Sequence, residues 1–287
     1  LLIKKSIFGL VQAIINVLLV FFVISIFINK LGKEAYGVFA LVMVVGYLNT
    51  FTNLGLSSAL VKFIAEQGKT KESDIDILVN LILITTLILP FTLAAIFFSK
   101  FILIILLNIP LNIFSEAKWL FFWLLWANFL LIVGQVFKGI LDARQKIYIT
   151  SLQQIIYNII YWGSILMVLL FNFNLSVVGF VIFISALVWF IITFISSKKE
   201  WGKILVIGFN KEFKISARKQ LNYGLQIYAG GLINFLYEPL SKILISNFIG
   251  VSEVGFYDVA LKLKSAIWGF VSKMFYPLFP FISEQTD

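Results

Sequence analysis

The stretch LSVVGFVIFISALVWFIITFI, residues 175–195, contains no charged side chain. As an α-helix rising 1.5 Å per residue it is about 30 Å long, the hydrocarbon thickness of a bilayer. Before it stands a second apolar run, Ile147–Phe171, and only Asn172-Phe173-Asn174 lies between the two. So short a link makes an antiparallel helical hairpin, one span going in and the next coming back. Reading outward adds four earlier spans, Ile7 to about Ile28, Gly37 to about Val61, Ile75–Phe98 and Trp119–Phe137. Two later ones follow, about Leu221–Ile249 and Val259–Ile282. The first run lacks the small-residue cleavage site of a signal peptide and reads as a retained span. Phe101–Leu107 is too short to cross; stopped by Asn108-Ile109-Pro110, it is expected to lie in the interface or fold back. The expected fold is all-α and polytopic, about eight transmembrane helices, because backbone polar groups in lipid must be bonded within their own segment.

Composition agrees. Of 287 residues 61% are hydrophobic and 13% charged, against about 45–50% and about 25% in soluble chains. The net charge of +9, on so apolar a chain, points to a membrane surface rather than to nucleic acid. The sequence has no His and no Cys, which removes the usual zinc and haem ligands, disulfides, and Ser-His-Asp or Cys-His catalysis. No Gly-rich phosphate loop is present. No metal site and no cofactor is implied, and the chain reads as a non-enzyme.

Lysine and arginine fall unevenly on the alternate loops. Lys4, Lys5, Lys62, Lys69, Lys71, Lys138, Arg144 and Lys146 share one side with Lys198, Lys199, Lys203, Lys211, Lys214, Arg218 and Lys219. The other side holds Lys30, Lys33, Lys100 and Lys118. The positive-inside rule makes the first side cytoplasmic, with both ends of the chain on it, in a multi-pass protein of the cell (cytoplasmic) membrane. The basic loops there, residues 203–215 above all, are expected to meet anionic lipid headgroups.

Set against itself at an offset of 218, the chain repeats. Leu31-Gly32 through Gly37 pairs with Ile249-Gly250 through Gly255, and Phe39 pairs with Tyr257. The register closes where Phe63-Ile64-Ala65-Glu66 meets Phe281-Ile282-Ser283-Glu284. An even number of spans separates the copies, so both run the same way, the parallel arrangement some transporters use. The domains expected are a six-helix lobe over residues 1–197, a basic cytoplasmic linker over 198–220, and the first two helices of an incomplete second lobe over 221–287. On this reading the chain is a fragment lacking at least four further spans.

Several stretches resemble the polysaccharide flippases, the Wzx-like branch of the multidrug/oligosaccharidyl-lipid/polysaccharide exporter superfamily. They are Lys4-Lys5-Ser6, Leu31-Gly32-Lys33-Glu34-Ala35-Tyr36-Gly37, Asn53-Leu54-Gly55-Leu56, Gly139-Ile140-Leu141-Asp142-Ala143-Arg144, Tyr223-Gly224-Leu225 and Gly255-Phe256-Tyr257. The resemblance covers essentially the whole chain. It implies two lobes in a V around a cavity open to each side in turn. It also implies translocation of lipid-linked oligosaccharide, polyprenyl-pyrophosphate-glycan, from the cytoplasmic to the outer face, with other polysaccharide-assembly proteins as possible partners.

Candidate cavity residues are the polar groups at membrane depth, which are costly there and usually face a cavity or a partner. Lys242 follows Glu238 by four residues across Pro239, and Lys262 follows Asp258 by four, the favourable order for an ion pair within a helix. Each pair reads either as a substrate contact or as a neutral structural pair; Lys262 and Lys264 also suit snorkelling at an interface. Lys273, eleven residues past Lys262, has no acidic residue one turn away and is the favoured contact for substrate phosphate. Asn49 and Asn53, four apart, suit sugar hydroxyls or hydrogen bonds between helices. A cationic-drug exporter would want acidic groups where these lysines stand. A membrane glycosyltransferase or polymerase would want acidic or His groups on a large outer loop, and residues 99–118 offer only Glu116.

Overall fold

The structure is a computed structural model. It describes the backbone of residues 2–47, 53–202 and 211–275, and the side chains of residues 17–45, 53–202, 211–228 and 237–269. The described residues are helical with short turns and no strand. The long helices are α1 (Leu2–Val42), α2 (Leu56–Gln67), α3 (Lys71–Phe97), α4 (Phe114–Ala143), α5 (Ile147–Leu170), α6 (Leu175–Trp201), α7 (Lys211–Phe248) and α8 (Val251–Phe275). Among the described residues, α3, α4, α5 and α6 are long and apolar enough to cross a membrane. They are apolar on the outside too: Phe91, Phe97, Phe180, Ile191 and Ile195 are exposed. A bilayer, not water, suits such a surface.

The hairpin expected at Asn172–Asn174 is formed. Asn172 takes a left-handed φ of 56°, and the Asn174 side chain accepts from the Val177 N–H to cap α6. Two expected boundaries differ. Spans one and two meet without a loop: α1 runs on to Val42, turning only at Gly32, whose φ of 88° suits glycine. Span two is then broken in its middle. A 3-10 turn, Met43–Tyr47, ends it, and the chain re-enters helix after Leu54 and Gly55, with φ of 45° and 71°. The polar residues Asn49, Thr50, Thr52 and Asn53 cluster at this break, but they are uncharged and flanked by apolar runs, so hydropathy averaged over a span length gives one span. The second difference is at residues 198–220, expected as a linker. Here α6 extends to Trp201 and α7 begins at Lys211, while residues 203–210 lie outside the described residues.

The short run after α3 folds back. Ser99–Phe101 and the π-type turn Ile102–Leu106 bury Leu103, Leu107 and Ile109 in the core. Cores form where α4 packs on its neighbours. Gly179 lets α6 approach Leu120, whose Cα is 2.8 Å from where a β-carbon would lie. One apolar cluster joins α1, α4, α5, α6 and the start of α8; a second joins α2, α3, α4 and Trp201.

The loop ends sort onto two faces of the bundle. On the basic one Glu200 lies 3.7 Å from Arg144 and 3.8 Å from Lys146. On the opposite one Lys30 donates to Asn172 at 3.0 Å, and Glu116 accepts from the Leu175 N–H. Gly32 and Gly250, paired at the 218-residue offset, both take positive φ, 88° and 145°, at the turn before a helix.

Candidate functional site

Helices α7 and α8 close on α1, α2 and α3 through a buried polar cluster near each end of the bundle. Lys219 and Lys242 mark the two clusters on α7. Their 23-residue separation corresponds to about 35 Å of helix, close to a membrane thickness.

The first cluster, at the end opposite the basic loops, centres on Asp258 of α8. Its carboxylate accepts from Lys242 of α7 at 2.6 Å, from the Tyr36 hydroxyl of α1 at 2.7 Å, and from Lys262 one turn on. Lys262 also donates to the Tyr36 hydroxyl at 3.1 Å, and Lys242 to the Ala40 carbonyl at 3.5 Å. Two ammoniums face one carboxylate, so the cluster carries one positive charge in excess. Glycines bring the helices together here. A β-carbon on Gly37 would lie 2.0 Å from the Val251 carbonyl oxygen, and one on Gly255 would lie 3.1 Å from the Tyr36 ring. The repeat partners Gly37 and Gly255 thus sit at one helix crossing. The same end is tied by Ser246, which donates to the Leu107 carbonyl at 2.5 Å, and by Asn247, which donates to that of Leu106 at 2.8 Å.

The second cluster, at the basic end, centres on Asp76 of α3, which is 1% exposed. Its carboxylate accepts from Ser216 at 2.5 Å and from Lys219 at 2.8 Å, both on α7. Gln220 donates to the Asp76 carbonyl at 2.9 Å and accepts from Asn80 at 2.6 Å, and Asn80 also donates to the Leu56 carbonyl. The Lys219 ammonium stands 4.1 Å from the centre of the Phe63 ring, and that of Lys62 4.2 Å from the Tyr223 ring. A glycine contact again sets the spacing. A β-carbon on Gly55 would lie 2.3 Å from the Gly224 carbonyl oxygen, and one on Gly224 2.4 Å from that of Leu54.

The candidate residues divide accordingly. Lys242, Asp258 and Lys262 are brought together. The Asp258–Lys262 pair forms as its spacing suggests, while the Lys242 ammonium reaches across to α8. The cause is burial: Lys242, 4% exposed, points into the helix contact, where a carboxylate is the partner that compensates a desolvated charge. Glu238 stands half-buried one turn earlier on α7, which continues through Pro239. Lys264 is exposed, its ammonium 4.8 Å from the centre of the Tyr237 ring. Asn53 caps the start of α2, accepting from the Ser57 N–H at 3.0 Å. Lys273 lies on α8, but its side chain, like all of Asn49, is outside the described residues.

Sequence reasoning missed Asp76, Ser216 and Gln220. Their signal was present but weak. Ser216 and Gln220 are four apart beside Lys219, one polar face inside a stretch that its charge alone marks as a solvated linker. The other polar spans do bland work. Gln153 of α5, for example, bonds Ser196 at 2.9 Å and Thr193 at 3.3 Å on α6.

The family model described as "Polysaccharide biosynthesis protein" matches residues 2–285. No curated protein and no solved structure matches the chain.

Proposed function

The chain belongs to the polysaccharide biosynthesis protein family, a family of Wzx-like flippases, and from that premise we propose that this multi-pass membrane protein moves lipid-linked oligosaccharide from the cytoplasmic to the outer face. The basic end is the cytoplasmic one. Residues 1–197 form one lobe and α7 and α8 open the second. The protein does no covalent chemistry on its substrate.

One observation carries the reading: the second repeat copy meets the first through two separate polar clusters about 35 Å apart along α7. Each is a small set of side-chain bonds over a close glycine contact. Packed contacts of this kind have discrete made and broken states rather than continuous ones. Opening the Asp76 cluster admits the sugar-pyrophosphate head from the cytoplasm while the Asp258 cluster stays shut; the reverse releases it. The polyprenyl tail stays in lipid. Lys242 and Lys262 hold the outer joint, and their excess charge favours an anionic head arriving beneath it. Lys273, eleven residues and about 16 Å along α8 from Lys262, falls between the two joints and meets the phosphates as a point charge.

Two experiments in the native protein test this. Lys273→Ala should abolish surface-polysaccharide export without reducing membrane insertion, and Lys273→Arg should restore part of it; normal export in Lys273→Ala removes that residue from the path. With any other Cys of the native protein replaced, Lys62→Cys and Tyr223→Cys can be bridged across the inner joint by a short bis-methanethiosulfonate, each thiolate displacing a sulfinate to leave a disulfide that a reductant cleaves. Bridging should halt export reversibly, and continued export by fully bridged protein refutes the two-joint mechanism.

A further inference from the structure

A crevice of about 280 Å³ opens at the basic end between α4 and α6. Its walls are Phe137 and Ile140 from α4 and Phe194 from α6, and its polar rim is Ser197, Lys198 and Gly202. Trp201 floors it, fixed by an indole N–H donated to Asp74 at 2.6 Å. The Lys69 ammonium lies 3.5 Å from where a β-carbon on Gly202 would be, so a second cation reaches the same rim. The nearby acids are engaged. Glu200 lies against Arg144 and Lys146, and Asp74 holds Trp201. Among the described residues neither Lys69 nor Lys198 has a carboxylate partner.

We infer that this crevice is a binding site for an anionic phospholipid of the leaflet at the basic end. The phosphate sits between Lys198 and Lys69, and the first part of an acyl chain lies over Phe137, Ile140 and Phe194. Three features select that occupant. The cavity is amphipathic in the order a lipid is, with charge at the rim and aromatic walls towards the bilayer. Basic pockets between membrane helices on the cytoplasmic side suit lipid head groups. The volume is at the lower limit of small-molecule pockets, enough for a phosphate and a chain segment but not for a glycan on a pyrophosphate. The inference rests on the membrane-spanning fold and not on the transport reading, so either can fail alone.

The test is lipid binding by the purified native protein, followed by native mass spectrometry and by Tm in detergent. Phosphatidylglycerol should bind and raise Tm where phosphatidylcholine does not. Lys69→Gln with Lys198→Gln should weaken that binding about 25-fold, each ammonium near the surface being worth roughly fivefold. Phe194→Asn should weaken it with the charge unchanged, and Lys118→Gln, an exposed lysine at the opposite end, should not. Equal binding of both lipids, wild-type affinity in the double variant, or the same Tm rise from inorganic phosphate or pyrophosphate alone would each overturn the assignment.

Discussion

Asp76→Asn is the sharpest probe of the joint at the basic end. Asparagine keeps the shape and still accepts from Ser216, but it removes the charge that faces Lys219 at 2.8 Å. Breaking a fully buried ion pair by deleting one partner costs about 3–5 kcal/mol. This pair is only half of that kind: the Asp76 side chain is 2% exposed, but that of Lys219 is 34%. Its ammonium can turn partly to water while keeping its place over the Phe63 ring. The applicable figure is therefore that of a hydrogen bond to a charged group, about 1.5–3 kcal/mol. At 1.4 kcal/mol per tenfold, the closed joint should become roughly 10- to 150-fold less favoured over the open one. The reporter is Leu56→Cys, 0% exposed at the contact of α2 with Gly224 of α7, in native protein with any other Cys replaced. Labelling by a membrane-impermeant maleimide, in the regime where opening is fast, reports the open population. Asp76→Asn should speed it by that factor in inside-out vesicles and leave it slow in right-side-out ones. An unchanged rate in both would show that the cluster does not hold the joint.

Three further outcomes follow from the same contacts. Asp258→Asn strands two lysines against a neutral amide, so thermal unfolding in detergent should show a loss of about 3–5 kcal/mol. Replacing the pair outright, Lys242→Met with Asp258→Leu, should cost less than Asp258→Asn alone, and a larger loss would contradict the charge argument. Gly37→Ala puts a β-carbon 2.0 Å from the Val251 carbonyl oxygen, overpacking worth roughly 1–3 kcal/mol; maleimide labelling of Val254→Cys, 0% exposed, should rise. Gly32 has nothing within 4 Å of a β-carbon, but its φ of 88° with ψ of 162° is a region essentially restricted to glycine, so Gly32→Ala should lower stability by about 1–3 kcal/mol through backbone conformation alone, and an unchanged Tm would contradict this.

How much was legible beforehand depends on the range of the forces involved. The hairpin at Asn172–Asn174 was readable because helix length, turn length and turn chemistry are local. The Asp258–Lys262 pair was readable for the same reason, being one helical turn. The partner of Lys242 was not: Glu238 satisfies the local rule, and only the approach of α8 offers Asp258 instead. Nor was the break in span two, because the Leu54-Gly55 turn rests on Gly224, 169 residues away in the chain. Ser216 looks like a residue of a solvated linker, and Asp76 like the polar edge of span three, until the two helices bury them together.

The sequence by itself determined that this is an all-α membrane protein, with a repeat whose glycines mark equivalent turns. Hydropathy and glycine's tolerance of positive φ act within a few residues and need no partner. Only the tertiary structure decided what the polar residues do. A charge at low dielectric takes whichever partner the packing brings within reach, and here helix contacts far apart in sequence bring Asp258 to Lys242 and Asp76 to Lys219.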